Sequence, residues 1–289
     1  MKKIKLIAND ILGIAPQITN YLIDSFKQLK LSKNELNEKR ETGGVQDVVL
    51  EIDHFIGKVY IEKIYNKYRQ DLTIDSEEEE ERTGNGPIIL RFDPLDGSKH
   101  AKEGIPLIAS TASLVKNGKT LFSIVINPFT GEIYHAFKNG GAYLNGKKIT
   151  VSNAGIRDDL SFVMYEAPNS QIFNKEPKEF NAFASQLQKL QKKTYRMRNI
   201  GLSTLSVCWV ADGSCPAFID FSGTTKLYDI EAPALIAKEA GALIGNIKGK
   251  IKDKIDHNQN DNKKHILENL VIANPSSFSE IQKILSEHL

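Results

Sequence analysis

Cysteine is scarce in this 289-residue chain, which carries only Cys208 and Cys215. Their spacing is not a zinc pattern, and no histidine cluster accompanies them. A chain this long can build a hydrophobic core and needs no disulfide framework, so buried or half-buried thiols are expected. Net charge of one sign is lacking too. The 38 basic and 36 acidic residues leave only +2, too little to draw nucleic acid by bulk electrostatics. Charge is uneven, with five acids at Glu77–Glu81 and a lysine-rich stretch from Lys248 to Lys254. Long apolar runs are also missing. After two lysines, only Ile4, Leu6, Ile7 and Ala8 precede Asn9 and Asp10, too short a run for a signal peptide or a membrane span. The expectation is a cytoplasmic protein with neither a nucleic-acid nor a membrane partner. Neither an internal repeat nor a long flexible linker interrupts the chain.

What is present is ordinary for a globular protein: 40% hydrophobic and 26% charged residues, enough for one large domain or two closely packed ones. Ile7, Ile11, Ile14, Ile18, Leu22, Phe26 and Leu29 step by threes and fours and predict a helix over 4–29, with Pro16 a point of kinking or splitting. Residues 30–46 are polar and basic and read as a loop. A second helix is predicted from about Val48 to Lys67. Leu72–Ile74 and Ile88–Phe92 are strand candidates, the second ended by the Asp93-Pro94 step. Asn117-Gly118, Asn139-Gly140-Gly141 and Asn145-Gly146 then mark the turns of an antiparallel meander. The second half alternates. Strands are predicted at Ser161–Tyr165, Ala217–Asp220 and Leu270–Ala273, and helices around 180–190, 202–211, Ile230–Ala240 and the C-terminus. Residues 254–266 read as a polar surface loop. Helices between two sheet regions predict a layered α/β (α+β) fold, with subdomains 1–150 and 151–289.

Asp93 and Asp96 follow an apolar strand, with Pro94 fixing the backbone and Gly97 permitting a sharp turn. Such a turn can aim two carboxylates at one hard cation such as magnesium, while the Gly97 and Ser98 amides face an anion. That combination suits phosphoryl transfer to water. Each piece also has a plainer reading. Asp93–Ser98 is rich in turn formers, Glu77–Glu81 has the composition of a solvated face, and Asp229 stands where a helix N-cap would.

Order and surroundings shift the balance. Ser76-Glu77-Glu78, then Asp93-Pro94-Leu95-Asp96-Gly97-Ser98, then Leu227-Tyr228-Asp229-Ile230-Glu231-Ala232 running on to Lys238-Glu239-Ala240-Gly241 resemble the three motifs of the inositol monophosphatase family. Asn127–Glu132 and Gly141–Gly146 resemble strand-turn segments between those motifs. The resemblance spans about residues 45–275. It implies a layered αβαβα sandwich and a lithium-sensitive phosphatase using two or three magnesium ions. The implied metal ligands are Glu77, Asp93, the Leu95 carbonyl, Asp96 and Asp229, with Glu78 behind Glu77. A slip of one or two positions within the acidic run would move the first ligand. Water activated by the metals would be oriented by the Ser98 hydroxyl paired with Asp53, and Glu77 would take part in catalysis. Asp53 would otherwise serve as a helix cap. Gly97, Ser98, Arg198, Asp220 and Asp229 would meet the substrate, although Asp220 also reads as a charge ending a strand. A homodimer is the family default.

Some positions depart from the family pattern. Ser98 replaces threonine, Tyr228 replaces tryptophan, Glu231 and Pro233 alter the start of the third-motif helix, and Pro216 replaces an aspartate. These leave the metal set intact and put the substrate in question. Inositol-1-phosphate and fructose-1,6-bisphosphate lead, and a 3'-phosphoadenosine 5'-phosphate or other nucleotide phosphatase is the alternative. A catalytically inactive binding or regulatory homologue is the reading from another class.

Overall fold

The computed structural model describes residues 1–31, 37–42, 45–78, 83–157, 161–168, 177–223, 225–247, 250–251 and 269–286. Helix α1, Lys2–Leu31, forms because Ile4, Ile7, Ile11, Ile18, Leu22 and Phe26 share one buried face. Each such side chain is worth roughly 1.5–3 kcal/mol of burial. Pro16 lies on the exposed side and does not divide the helix. It removes the donor that the Leu12 carbonyl would otherwise receive.

The loop predicted over 30–46 is corrected. Asn37–Thr42 (β1) pairs antiparallel with Val45–Leu50 (β2). The helix start predicted at Val48 moves with it, because Val48–Leu50 complete the hairpin and α2 begins at Glu51 (Glu51–Tyr60). Glu51 and Asp53 in its first turn suit the positive end of the helix dipole. A π-helical turn at Ile61–Tyr65 and a 3-10 turn at Asn66–Tyr68 continue it.

The meander is a seven-stranded sheet in chain order: β3 (Leu72–Ser76), β4 (Ile88–Asp96), β5 (Ala109–Lys116), β6 (Lys119–Asn127), β7 (Glu132–Phe137), β8 (Gly141–Leu144) and β9 (Lys147–Ile149). Only β3 and β4 are parallel. Asn117, Asn139 and Asn145, at the hairpin turns, hold positive φ of 52°, 59° and 49°, as such turns demand. A short helix, α3 (Ser98–Glu103), follows β4. The second sheet has the order β11-β10-β12-β14-β13. Its strands are β10 (Val163–Glu166), β11 (Met197–Arg198), β12 (Ala217–Asp220), β13 (Leu243–Asn246) and β14 (Leu270–Ala273). Among the described residues, the remaining helices are α4 (Pro177–Gln191), α5 (Ser203–Ala211), α6 (Leu227–Glu239) and α7 (Pro275–Ser286).

Three cores trace the αβαβα order. α1 and α2 cover one face of the large sheet through Ile56, Leu90, Phe92 and Ile124. Its other face, with Val125, Tyr134 and Ala136, packs on α5 and α6, which also meet Met164, Phe218 and Ile272 of the second sheet. α4 and α7 close the outside against Val163, Ile219 and Val271. Alternation along β12 and β14 therefore feeds two cores at once, because successive strand side chains point to opposite faces. Cys208 and Cys215 are buried free thiols. No helix among the described residues is long and apolar enough to cross a membrane. The loop predicted over 254–266 and Glu79–Glu81 of the acidic run lie outside the described residues.

Candidate active site

Three chain segments converge at the C-terminal end of β3 and β4. β3 ends at Ser76, so Glu77 leaves the parallel strand pair beside Asp93. β4 continues past the Asp-Pro step where the sequence predicts its end. Pro94 has no N–H, and the pairing with β5 shifts register between Asp93 and Asp96. The Asp93 Oδ1 accepts the Leu95 N–H at 2.9 Å, which holds the irregular segment in place. Gly97 then takes φ of 89°, and a Cβ there would lie 2.8 Å from the Leu107 carbonyl oxygen. Only glycine meets both conditions.

The third segment is the start of α6. Lys226, in extended conformation, is its N-cap, and Asp229 lies inside the first turn. The N-cap reading of Asp229 is therefore set aside. Its carboxylate takes the Lys226 backbone N–H instead, one half of a capping box.

One carboxylate oxygen each from Glu77, Asp93 and Asp229 lie within 4.8 Å of one another. They face a cavity of about 430 Å³ whose walls also include Asp53, Leu95, Asp96, Gly97 and Ser98. Burial pushes the Asp93 and Asp229 carboxyls well above the ordinary range. Neighbouring carboxylates add to it: Glu77, Asp96, Asp53 and Asp229 for Asp93, and Asp96 and Glu77 for Asp229. Asp96 is raised to about 7, mainly by burial and then by Glu77, against the lowering effects of the Thr204 hydroxyl, Lys226 and the Gly97 N–H. Asp96 Oδ2 is buried without a hydrogen-bond partner. The Lys226 ammonium contacts Glu77 Oε1 at 2.6 Å. Crowded, desolvated, oxygen-only donors with an orphaned carboxylate oxygen fit a hard divalent cation, whose charge would relieve the repulsion that keeps protons on these acids.

Two expected substrate contacts are not brought to the cavity. Asp220 is completely buried behind its wall. Its Oδ1 accepts the Ser222 N–H and hydroxyl at 2.7 and 2.6 Å, and its Oδ2 accepts the Thr225 hydroxyl at 2.7 Å. Those bonds fix the turn between β12 and α6. Arg198 is exposed on the two-residue edge strand β11, where its Nη1 donates to the neighbouring Met197 carbonyl, and it is not part of the wall. Glu166, the register partner of Asp220 on β10, does line the cavity, as do Lys99, His100, Ser203 and Lys226. Sequence reasoning passed over Glu166 and Lys226. The one usable signal was position: Lys226 immediately precedes the third motif, and Glu166 ends a strand of the second sheet.

The family model described as the inositol monophosphatase family matches residues 14–288. A fructose-1,6-bisphosphatase/inositol-1-monophosphatase of Methanocaldococcus jannaschii is 30% identical over 224 residues, 76% of this chain and 79% of the relative. A Nus factor SuhB of Xylella fastidiosa is 28% identical over 78% of this chain and 79% of its own length. Among solved structures, the extragenic suppressor protein suhB of Bartonella henselae superposes with a TM-score of 0.79 at 20% identity, over 98% of this chain and all of that one (100%). That likeness speaks for the fold alone. A family model spanning nearly the whole chain decides the question of kinship: the chain belongs to the inositol monophosphatase family.

Proposed function

We propose that this chain hydrolyses small phosphate monoesters of the inositol-1-phosphate or fructose-1,6-bisphosphate kind, with two or three magnesium ions per site. The observation that carries the reading is the approach of Glu77, Asp93 and Asp229 within 4.8 Å, in a cavity they share with Asp96 and Ser98. Glu77, Asp93, the Leu95 carbonyl, Asp96 and Asp229 would hold the ions. Magnesium, when bound, supplies Lewis acidity toward phosphoryl oxygens and lowers the pKa of water.

The remaining work falls to the chain. Ser98 and Asp53 face the same cavity, and in this reading the Asp53 carboxylate and Ser98 hydroxyl orient the attacking water. The Ser98 N–H, at the start of α3, and Gly97, which has no side chain to obstruct approach, receive the phosphate. Attack is in line, opposite the departing alkoxide, and no phosphoenzyme forms. Glu166 takes the place foreseen for Asp220 and accepts hydrogen bonds from hydroxyls of the alcohol half. A purely regulatory homologue would be free to lose its acids. Here Glu77, Asp93, Asp96 and Asp229 all reach the cavity, which favours catalysis.

The test is phosphate release with magnesium from inositol-1-phosphate, fructose-1,6-bisphosphate and 3'-phosphoadenosine 5'-phosphate in parallel. Asp93→Asn should lower release by about 10²- to 10³-fold, as expected when electrostatic stabilisation of the transition state is lost, while its circular dichroism stays native. Near-wild-type turnover in that variant would refute the metal assignment. A preference for the nucleotide substrate would move the reading to the nucleotide phosphatases.

A further inference from the structure

Directly behind the three acids lies a buried polar network. Asp75 and Arg91 are register partners across the parallel pair β3 and β4. Each stands two residues before a proposed ligand, Asp75 before Glu77 and Arg91 before Asp93. Within β4 that spacing puts Arg91 and Asp93 on one face. Arg91 Nε donates to Asp75 Oδ2 at 3.0 Å, and its Nη1 donates to Glu231 Oε2 at 2.7 Å. Glu231 lies on α6, two residues after Asp229. The Tyr228 hydroxyl, one residue before Asp229, donates to Asp75 Oδ1 at 2.9 Å. The Thr120 hydroxyl donates to Glu231 Oε1 at 3.1 Å. Arg91 and Asp75 are 5% and 2% exposed, so these bonds are shielded from water and salt.

We propose that Arg91 is a positioning residue of the metal site, one guanidinium that binds together β3, β4 and α6, the elements delivering Glu77, Asp93 and Asp229. The inference rests on the metal-site reading above. Arg91 bridges carboxylates on two of these elements from the third, which a planar fork of donors can do and a lysine ammonium does poorly. Its task is to hold the three elements in register. Two of the three departures at the third motif acquire a common reason: Tyr228, in place of tryptophan, and Glu231 are both partners in this network.

Isothermal calorimetry of magnesium binding to the full chain tests it, well below the melting temperature, for wild type, Arg91→Lys and the apolar triple variant Arg91→Met/Asp75→Leu/Glu231→Ala. The triple variant leaves no buried charge unpaired in the network, and such replacements commonly fold. Both variants should retain cooperative melting and bind magnesium about 10- to 100-fold more weakly, the range typical of losing groups that orient metal ligands. A purely structural role would lower the melting temperature of Arg91→Lys and leave its affinity unchanged. Affinity within twofold of wild type in either folded variant overturns the proposal while the metal site stands. Absence of magnesium binding in the wild type overturns both.

Discussion

At the scale of single residues, the acids around the cavity lie in surroundings that oppose their ionised form. Asp96 is raised from 3.8 to about 7, and burial and like charge move Asp93 and Asp229 the same way. Such carboxyls bind protons more tightly in the folded chain than in the unfolded one. The contribution of Asp96 to stability is complete below 3.8 and is lost as pH rises through about 7, and those of Asp93 and Asp229 are likewise lost as pH rises. The metal-free protein should therefore melt at a lower temperature at pH 8 than at pH 5. Added magnesium, which must displace those protons, should raise the melting temperature more at pH 8. Thermal scans with chelator and with magnesium at both values check this, and an equal magnesium shift at the two would contradict it. Glu166 is also raised to about 7, by burial and then by Asp220. Glu166→Gln should raise KM for inositol-1-phosphate several-fold with a smaller change in kcat. It should leave p-nitrophenyl phosphate, which has no hydroxyls to recognise, unaffected. Equal losses on both substrates would remove Glu166 from the alcohol subsite.

At the scale of elements, Pro16 offers a clean test of α1. It is exposed inside an otherwise continuous helix, so Pro16→Ala restores a backbone donor for Leu12. A gain of about 1–2 kcal/mol is expected, after the added freedom of the unfolded chain is counted. A urea melt reads it, and a loss of stability would mean that the helix depends on the bend. The elements most legible in the sequence are those specified locally. Asn-Gly pairs place the hairpins because few other residues tolerate positive φ, and the apolar spacing of α1 needs no partner to be recognised. The hairpin of β1 and β2 was not legible, because NEKRET has no apolar alternation and is a strand only by virtue of its pairing. β4 was cut short at Pro94 because a proline usually ends a ladder, whereas here the register shift absorbs it. Of the site, the acids are recognisable by motif order. The Arg91 network is not, because its members are far apart in the chain, Arg91 and Glu231 by 140 positions, and only the fold brings them together. The place of Asp220 was not legible for the complementary reason: a carboxylate ending a strand looks the same in sequence whether it faces a cavity or ties down the turn behind it.

At the scale of the whole molecule, the boundary expected near residue 150 falls between β9 and β10, yet the central core does not respect it. Val125, Tyr134, Ala136 and Ala142 from the first half pack against α5 and α6 from the second. The proposed metal site is divided in the same way, with Glu77 and Asp93 on one side and Asp229 on the other. Fragments 1–150 and 151–289 should each lack a cooperative thermal transition, because each exposes a face of that core to water. Mixing them should restore one, together with magnesium-dependent phosphate release. A fragment 1–150 that melts cooperatively alone would show the halves to be independent.

The alternation along β14 has a consequence for how the sequence can drift. Leu270 and Ile272 belong to the core of α5 and α6, whereas Val271 and Ala273 belong to that of α7. Neighbours in sequence are thus strangers in packing, and substitutions at 271 and 272 should be nearly additive. Compensation should instead skip a position and cross to a different helix for each parity. A library that randomises 270–273 would divide its survivors into two uncorrelated pairs, recording in heredity the two cores that one strand serves.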